Sequence, residues 1–201
     1  MKPDEIEKLS FEIIDKEAPS HSFSNEEWEI VRRMIHTSAD FEYLNTVRFH
    51  PDAIASGIKA IMNGKTIITD TNMAKAGIRK SKIKIECLID KPDIHEIALK
   101  NGITRAEAAV DASLNLMEDG IYVVGNAPTA LLRLNKAILD KQAKPALVVG
   151  LPVGFVNAKE SKAALIDTNH PYITNIGRKG GSNIAASVIN ALMILSFKYL
   201  R

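Results

Sequence analysis

The chain has 201 residues, 46% of them apolar and 25% charged, a length and balance that suit one globular domain spanning 1–201 and exclude a disordered chain. A formal net charge of only +2 cannot hold a polyanion through many phosphate contacts, so nucleic acid is a poor candidate partner, although a local cluster of cations still allows a small anionic substrate. The single cysteine, Cys87, excludes an internal disulfide and a cysteine-only zinc site, and points to a reducing, cytoplasmic setting.

The first segment reads as a helix, because Ile6, Leu9, Ile13 and Ile14 recur at helical spacing before Pro19 stops it. Acidic residues interrupt this segment where a signal peptide needs an apolar stretch, and no run approaches the ~18 apolar residues of a membrane span, so no membrane role is expected. Ser24 opens a second helix. Glu27 follows at capping-box spacing, Trp28, Val31, Met34 and Ile35 continue an apolar stripe, and His36 falls near the end. A third helix is predicted over 52–63, preceded by Pro51 and closed by Gly64.

From residue 66 onward, short aliphatic runs alternate with helical segments. The candidate strands are 66–69, 83–89, 121–124, 146–149 and 172–176, most of them apolar throughout, as parallel strands covered on both faces must be. Helix starts are signalled by Thr104 with Glu107, Pro128 after Ala127, Asn157 with Glu160, and Ser182. The expected fold is α/β: a three-layer α/β/α domain with a mainly parallel sheet of about five strands and N-terminal helices. Ligands in such sheets bind beyond the carboxyl ends of the strands. There the chain places DTNMAKAGIRK from Asp70, GNAPTALL from Gly125, GLPVGF from Gly150 and GRKGGS from Gly177.

GRKGGS puts glycines and Ser182 at a helix start, where free N–H groups attract an anion, but it also reads as a tight turn followed by a cap. It lacks the spacing of a P-loop or a dinucleotide fingerprint. Arg32, Arg33, Arg48, Arg79, Arg105 and Arg178 lie near element ends or in loops, where they form either a carboxylate-binding rim or ordinary surface ion pairs. Arg105 sits in the first turn of a helix, where the dipole disfavours a cation. A compensating anion is expected there, and Glu107 is the nearest candidate. None of His21, His36, His50, His95 and His170 has a metal-ligand spacing. His36 is set apart by apolar Met34 and Ile35 before it and polar Thr37, Ser38 and Asp40 after it. Its ring either enters a polar pocket as an acid-base group or is a hydrogen-bonded structural residue. No nucleophile signature such as GxSxG is present, and Cys87 lies inside a predicted strand.

Taken together, RRMIHTSADFEY from Arg32, TDTNM from Thr69, NGITRAEAA from Asn101, VVGNAPTALL from Val123, PALVVGLPVGFVNAKESKAAL from Pro145 and GRKGGSNIAASVINAL from Gly177 resemble the precorrin-8X methylmutase family. The resemblance covers nearly the whole chain. It implies an isomerase of cobalamin biosynthesis that moves a methyl group from carbon 11 to carbon 12 of a tetrapyrrole-derived polycarboxylate, working as a homodimer and without a cofactor or a metal of its own. It assigns the acid-base role to His36 and substrate contacts to Ser10 and Arg105. Two other readings of the chain are a corrinoid carrier that releases its ligand unchanged and a Rossmann-like nucleotide-binding enzyme.

Overall fold

The computed structural model describes residues 2–199. Local signals account for most helix starts. Pro3 and two acidic residues open α1 (Pro3–Glu17), and Ala18, extended ahead of Pro19, ends it. At α2 (Asn25–Ser38) the expected capping box forms, with Ser24 Oγ accepting from the Glu27 amide and the Glu27 carboxylate accepting from the Ser24 amide. A short α3 (Tyr43–Thr46) leads into β1 (Val47–Phe49). α4 (Ala53–Met62) follows, ended by Gly64 with φ +64°.

The βα units are β2 (Ile67–Thr69), α5 (Asn72–Gly77), β3 (Ile85–Cys87), α6 (Pro92–Asn101), α7 (Arg105–Ala112), β4 (Ile121–Val124), α8 (Pro128–Leu139), β5 (Leu147–Gly150), α9 (Ala158–Asp167), β6 (Tyr172–Asn175) and α10 (Ser182–Lys198). The six strands are ordered β1-β6-β5-β4-β2-β3, all parallel except β1, which pairs antiparallel with β6. β1 is the strand absent from the sequence expectation. Three residues long and set at the sheet edge, it offers too short an alternation to stand out from the chain before Pro51.

Side chains alternate across the sheet with a period of two. Ile67, Ile121, Val123, Leu147, Val149 and Ile173 face a core shared with α2, α4 and α10. Ile68, Tyr122, Val124, Val148 and Tyr172 face a second core built on α7, α8 and α9. The result is three layers, with α10 as the central helix of one face. α1 behaves differently: of its predicted apolar stripe only Ile14 is buried, while Ile6, Leu9 and Ile13 stand exposed.

Two predicted helix starts are correct in place but not in chemistry. Asn157 precedes α9 in the left-handed region, at φ +61°, and its side chain caps nothing; asparagine tolerates that conformation better than most residues. At α10 the cap position belongs to Gly181, at φ +141°, and Ser182 turns its hydroxyl to Thr71 instead, 2.9 Å away.

Candidate active site

Strand order reverses between β2 and β4, which makes the crevice beyond their carboxyl ends the topological switch point of the sheet. This protein fills it with its own side chain. The Asp70 carboxylate, directly after β2, accepts the amides of Gly125 at 2.9 Å and of Asn126 and Ala127 at 2.8 Å, and so takes the anion position at the start of α8. Burial pushes the Asp70 carboxyl upward, and those three N–H groups oppose the shift. Thr71 caps α5 by accepting the Ala74 amide and also meets Ser182 at the start of α10. A Cβ on Gly125 would lie 2.6 Å from Ser182 Cα, so this loop and α10 touch backbone to backbone. Asp70 thus serves the N-terminus of α8, and the next residue, Thr71, links the starts of α5 and α10. A nucleotide phosphate would have to displace Asp70 to bind at α8, and this argues against the Rossmann-like reading.

His36 lies in the last turn of α2. That helix runs antiparallel to α10: Lys198 reaches Glu29 near one end, and Lys179, just before α10, bonds Asp40 just beyond the other. His36 is thereby placed at the carboxyl edge of the sheet. Its ring is exposed and packs edge-on against Phe11, with centroids 5.1 Å apart and planes at 76°. The polar residues after it are occupied elsewhere. Thr37 and Ser38 donate to the carbonyls of Arg33 and Met34, and Asp40 pairs with Lys179. They finish the helix and make no hydrogen bond to the imidazole.

Around Phe11 the guanidinium carbons of Arg32 and Arg33 stand 4.6 and 5.0 Å from the ring centroid. Arg33 donates to Glu7 at 2.8 Å. That bond, with the nearby charges of Arg79 and His36, holds the Glu7 carboxyl below the usual carboxylate range. Ser10 lies on the same stretch of α1 and donates to the Ile6 carbonyl at 2.8 Å. The α1–α2 pair thus brings Phe11, His36, Arg32 and Arg33 into one cluster, and Ser10 precedes Phe11 in the chain.

Arg105 belongs to a second cluster on the same edge. It begins α7 and lies 3.8 Å from Asp90, which also accepts from Asn72 at the start of α5. The compensating anion is therefore Asp90. Glu107 is engaged by Thr104 in the α7 capping box. Thr104 in turn meets Thr129 on α8 at 3.1 Å, tying Arg105 to the rim of the switch-point crevice. No direct contact joins Arg105 to His36 among the described residues.

The arginine rim is thinner than the sequence suggests. Arg32 is paired with Asp15 and Glu29, Arg33 with Glu7, and Arg48 donates to the carbonyls of Asn45 and Val47. Arg79, 3.7 Å from Glu7, Arg105, 3.8 Å from Asp90, and Arg178, which stacks 5.6 Å over the exposed Phe155 ring, are the arginines less committed to internal pairs. Among the described residues two buried charged residues escaped the sequence reading. One is Asp70; the other is Lys162, whose ammonium is enclosed between α9 and the loop after β6. For Lys162 a signal existed, since it falls in the stripe with Ala158, Ser161 and Leu165 that α9 buries.

Among the described residues no helix is long and apolar enough to cross a membrane. A precorrin-8X methylmutase family model matches residues 5–195. The cobalt-precorrin-8 methylmutase of Leptospira interrogans is 47% identical over 206 residues, covering 96% of this chain and 94% of that protein. That of Priestia megaterium is 45% identical, covering 98% and 89%. The crystal structure of the precorrin-8X methylmutase from Thermus thermophilus superposes with a TM-score of 0.91 at 42% identity, covering 98% of this chain and 97% of that one. The chain belongs to the precorrin-8X methylmutase family, a family of intramolecular methyl-transferring isomerases.

Proposed function

We propose that this enzyme moves the methyl group from carbon 11 to carbon 12 of precorrin-8X or cobalt-precorrin-8, giving hydrogenobyrinic or cobyrinic acid, with His36 as the acid-base residue and Ser10 and Arg105 as substrate contacts. The cobalt form is favoured by the names of the relatives at 45–47% identity; the metal then arrives inside the substrate. The observation that carries the assignment of His36 is its placement: an exposed imidazole at the carboxyl edge of the sheet, fixed by Phe11 and unclaimed by the polar residues that follow it.

A methyl shift around a conjugated ring needs a change in electron distribution. An imidazole donating to or protonating a ring nitrogen supplies one near neutral pH, because its ordinary pKa lies at ~6.5. The macrocycle carries several carboxylate arms. Arg105 meets one of them at the rim, and the Ser10 hydroxyl, whose proton is committed to Ile6, offers its lone pairs to a donor on the substrate. Holding the ring in a reactive conformation supplies the rest of the acceleration.

The reading extends to a cytoplasmic homodimer. His36 is open to solvent, and apolar side chains stand exposed around the same edge: Phe155 at 86%, Val156 at 76% and Met73 at 72%, together with the Ile6, Leu9 and Ile13 stripe of α1. Exposed apolar area of this kind marks a surface that another body covers. Sedimentation should give twice the chain mass.

Conversion of precorrin-8, metal-free or cobalt-loaded, is followed by its absorption spectrum, since only turnover creates the corrin chromophore. His36→Ala should slow conversion by about 10²–10⁴-fold while the protein still binds product. An unchanged rate in that variant rejects His36. A wild-type protein that binds the substrate and leaves the spectrum unaltered is a carrier.

A further inference from the structure

Lys162 is 0% exposed, and its Nζ donates to Asn175 Oδ1 at 3.1 Å and to the Lys179 carbonyl at 2.7 Å. No carboxylate pairs with it among the described residues, an expensive way to bury an ammonium unless its hydrogen bonds do something specific. What they do is hold the loop 176–181. Asn175, itself buried, donates its Nδ2 to the carbonyls of Ile176 and Lys179, so the backbone at Lys179 is gripped from inside by two side chains. The loop is also tied to the segment after β5 at two points: Gly154 N–H donates to the Arg178 carbonyl at 3.2 Å and Gly181 N–H to the Leu151 carbonyl at 2.9 Å.

The side chain of Lys179 reaches from this fixed backbone to the segment that follows α2. Its ammonium contacts Asp40 at 2.6 Å and Glu42 at 2.7 Å. Asp40 follows the end of α2 across Ala39, which is left-handed at φ +52°, and it is held further by the Glu42 amide and by Ser38 Oγ. His36 is four residues before Asp40. A continuous line of bonds thus runs from the interior lysine, through the loop, to the helix end that carries the imidazole.

We propose that Lys179 is a positioning residue: anchored by Lys162 through its carbonyl, it pins the end of α2 through Asp40 and so sets where the His36 imidazole meets the substrate. The proposal rests on His36 as the acid-base residue. The Lys179 side chain is half exposed and stabilises little as a surface ion pair, so its worth lies in geometry, where small misplacements of a reacting group cost large factors in rate.

The test compares wild type, K179M, K179R, D40N, K179M/D40N and H36A in the spectral assay of precorrin-8 conversion, with melting temperature recorded for each. K179M should lower kcat by about tenfold or more with KM and melting temperature nearly unchanged. K179R should recover most of that loss, and K179M/D40N should be no slower than K179M. The His36 ring resonance, identified by its absence from H36A, should shift in K179M and return in K179R. A K179M enzyme with wild-type kcat, or one whose His36 resonance stays in place, overturns the proposal. Multiplying losses in the double variant would overturn it too. A wild-type rate in H36A rejects the acid-base reading instead, and a slow H36A beside a fast K179M rejects the positioning role alone.

Discussion

The Asp70 carboxylate and the Gly125 amide, 55 residues apart in the chain, meet at 2.9 Å across the point where the strand order reverses. One short side chain after β2 thereby completes the first turn of α8 and holds the GNAPT segment against α10. The turn at Gly125–Ala127 is placed by this internal contact, so its removal should register in both stability and rate.

Asp70→Asn replaces one accepting oxygen by an NH₂ group, which must face either the Gly125 amide or those of Asn126 and Ala127. Leaving such buried donors unsatisfied costs about 1–3 kcal/mol. Urea denaturation should show a midpoint lowered accordingly, with slower turnover; an unchanged midpoint would mean that the three hydrogen bonds are dispensable.

Gly125 has no room for a side chain. An added Cβ would sit 2.6 Å from Ser182 Cα and 3.1 Å from Ser182 N, and backbone atoms at a helix start cannot swing aside. Gly125→Ala should lower the melting temperature by roughly 3–10 °C, as read by calorimetry. A melting curve superimposable on wild type would show that α10 can shift freely.

Arg105 is 3.8 Å from Asp90 and more than half exposed, so its removal should leave the fold intact. A substrate contact by its guanidinium predicts a KM raised by about tenfold in Arg105→Ala with kcat little changed. For Ser10→Ala the rise should be smaller. Steady-state kinetics with KM unmoved in Arg105→Ala would leave that residue a surface ion pair.

Lys162 gives the protein a distinctive alkaline behaviour. Burial lowers its pKa from the ordinary 10.5 to about 8, so between those values the unfolded chain binds more protons at this site than the folded one. The sign follows: stability contributed by this site rises as pH climbs through that window. A neutral amine still has two N–H groups for Asn175 Oδ1 and the Lys179 carbonyl. Urea titrations from pH 7.5 to 10 should show wild type gaining on the order of 1–3 kcal/mol relative to Lys162→Met. A difference that is flat or falls with pH would contradict a buried, depressed lysine.

What could be read from the chain alone was whatever neighbouring residues settle between themselves. The capping boxes at Ser24 and Thr104, the prolines opening helices, the glycine after α4 and the apolar strand runs act over a few residues, and each is found where its spacing places it. The ordered motifs likewise identified the family. The three-residue β1 was too short to announce itself, and it forms only because β6, more than 120 residues later, supplies its partner. The same physics separates the arginines: sequence shows six cations at element ends, but whether each is free depends on carboxylates brought near by folding. Asp15 and Glu7 silence Arg32 and Arg33, and Asp90 takes the place foreseen for Glu107. Asp70 and Lys162 look like surface charges in one dimension. Only the packed structure buries them, and burial with chosen hydrogen-bond partners turns each charged side chain into a brace, Asp70 for the turn after β4 and Lys162 for the loop after β6.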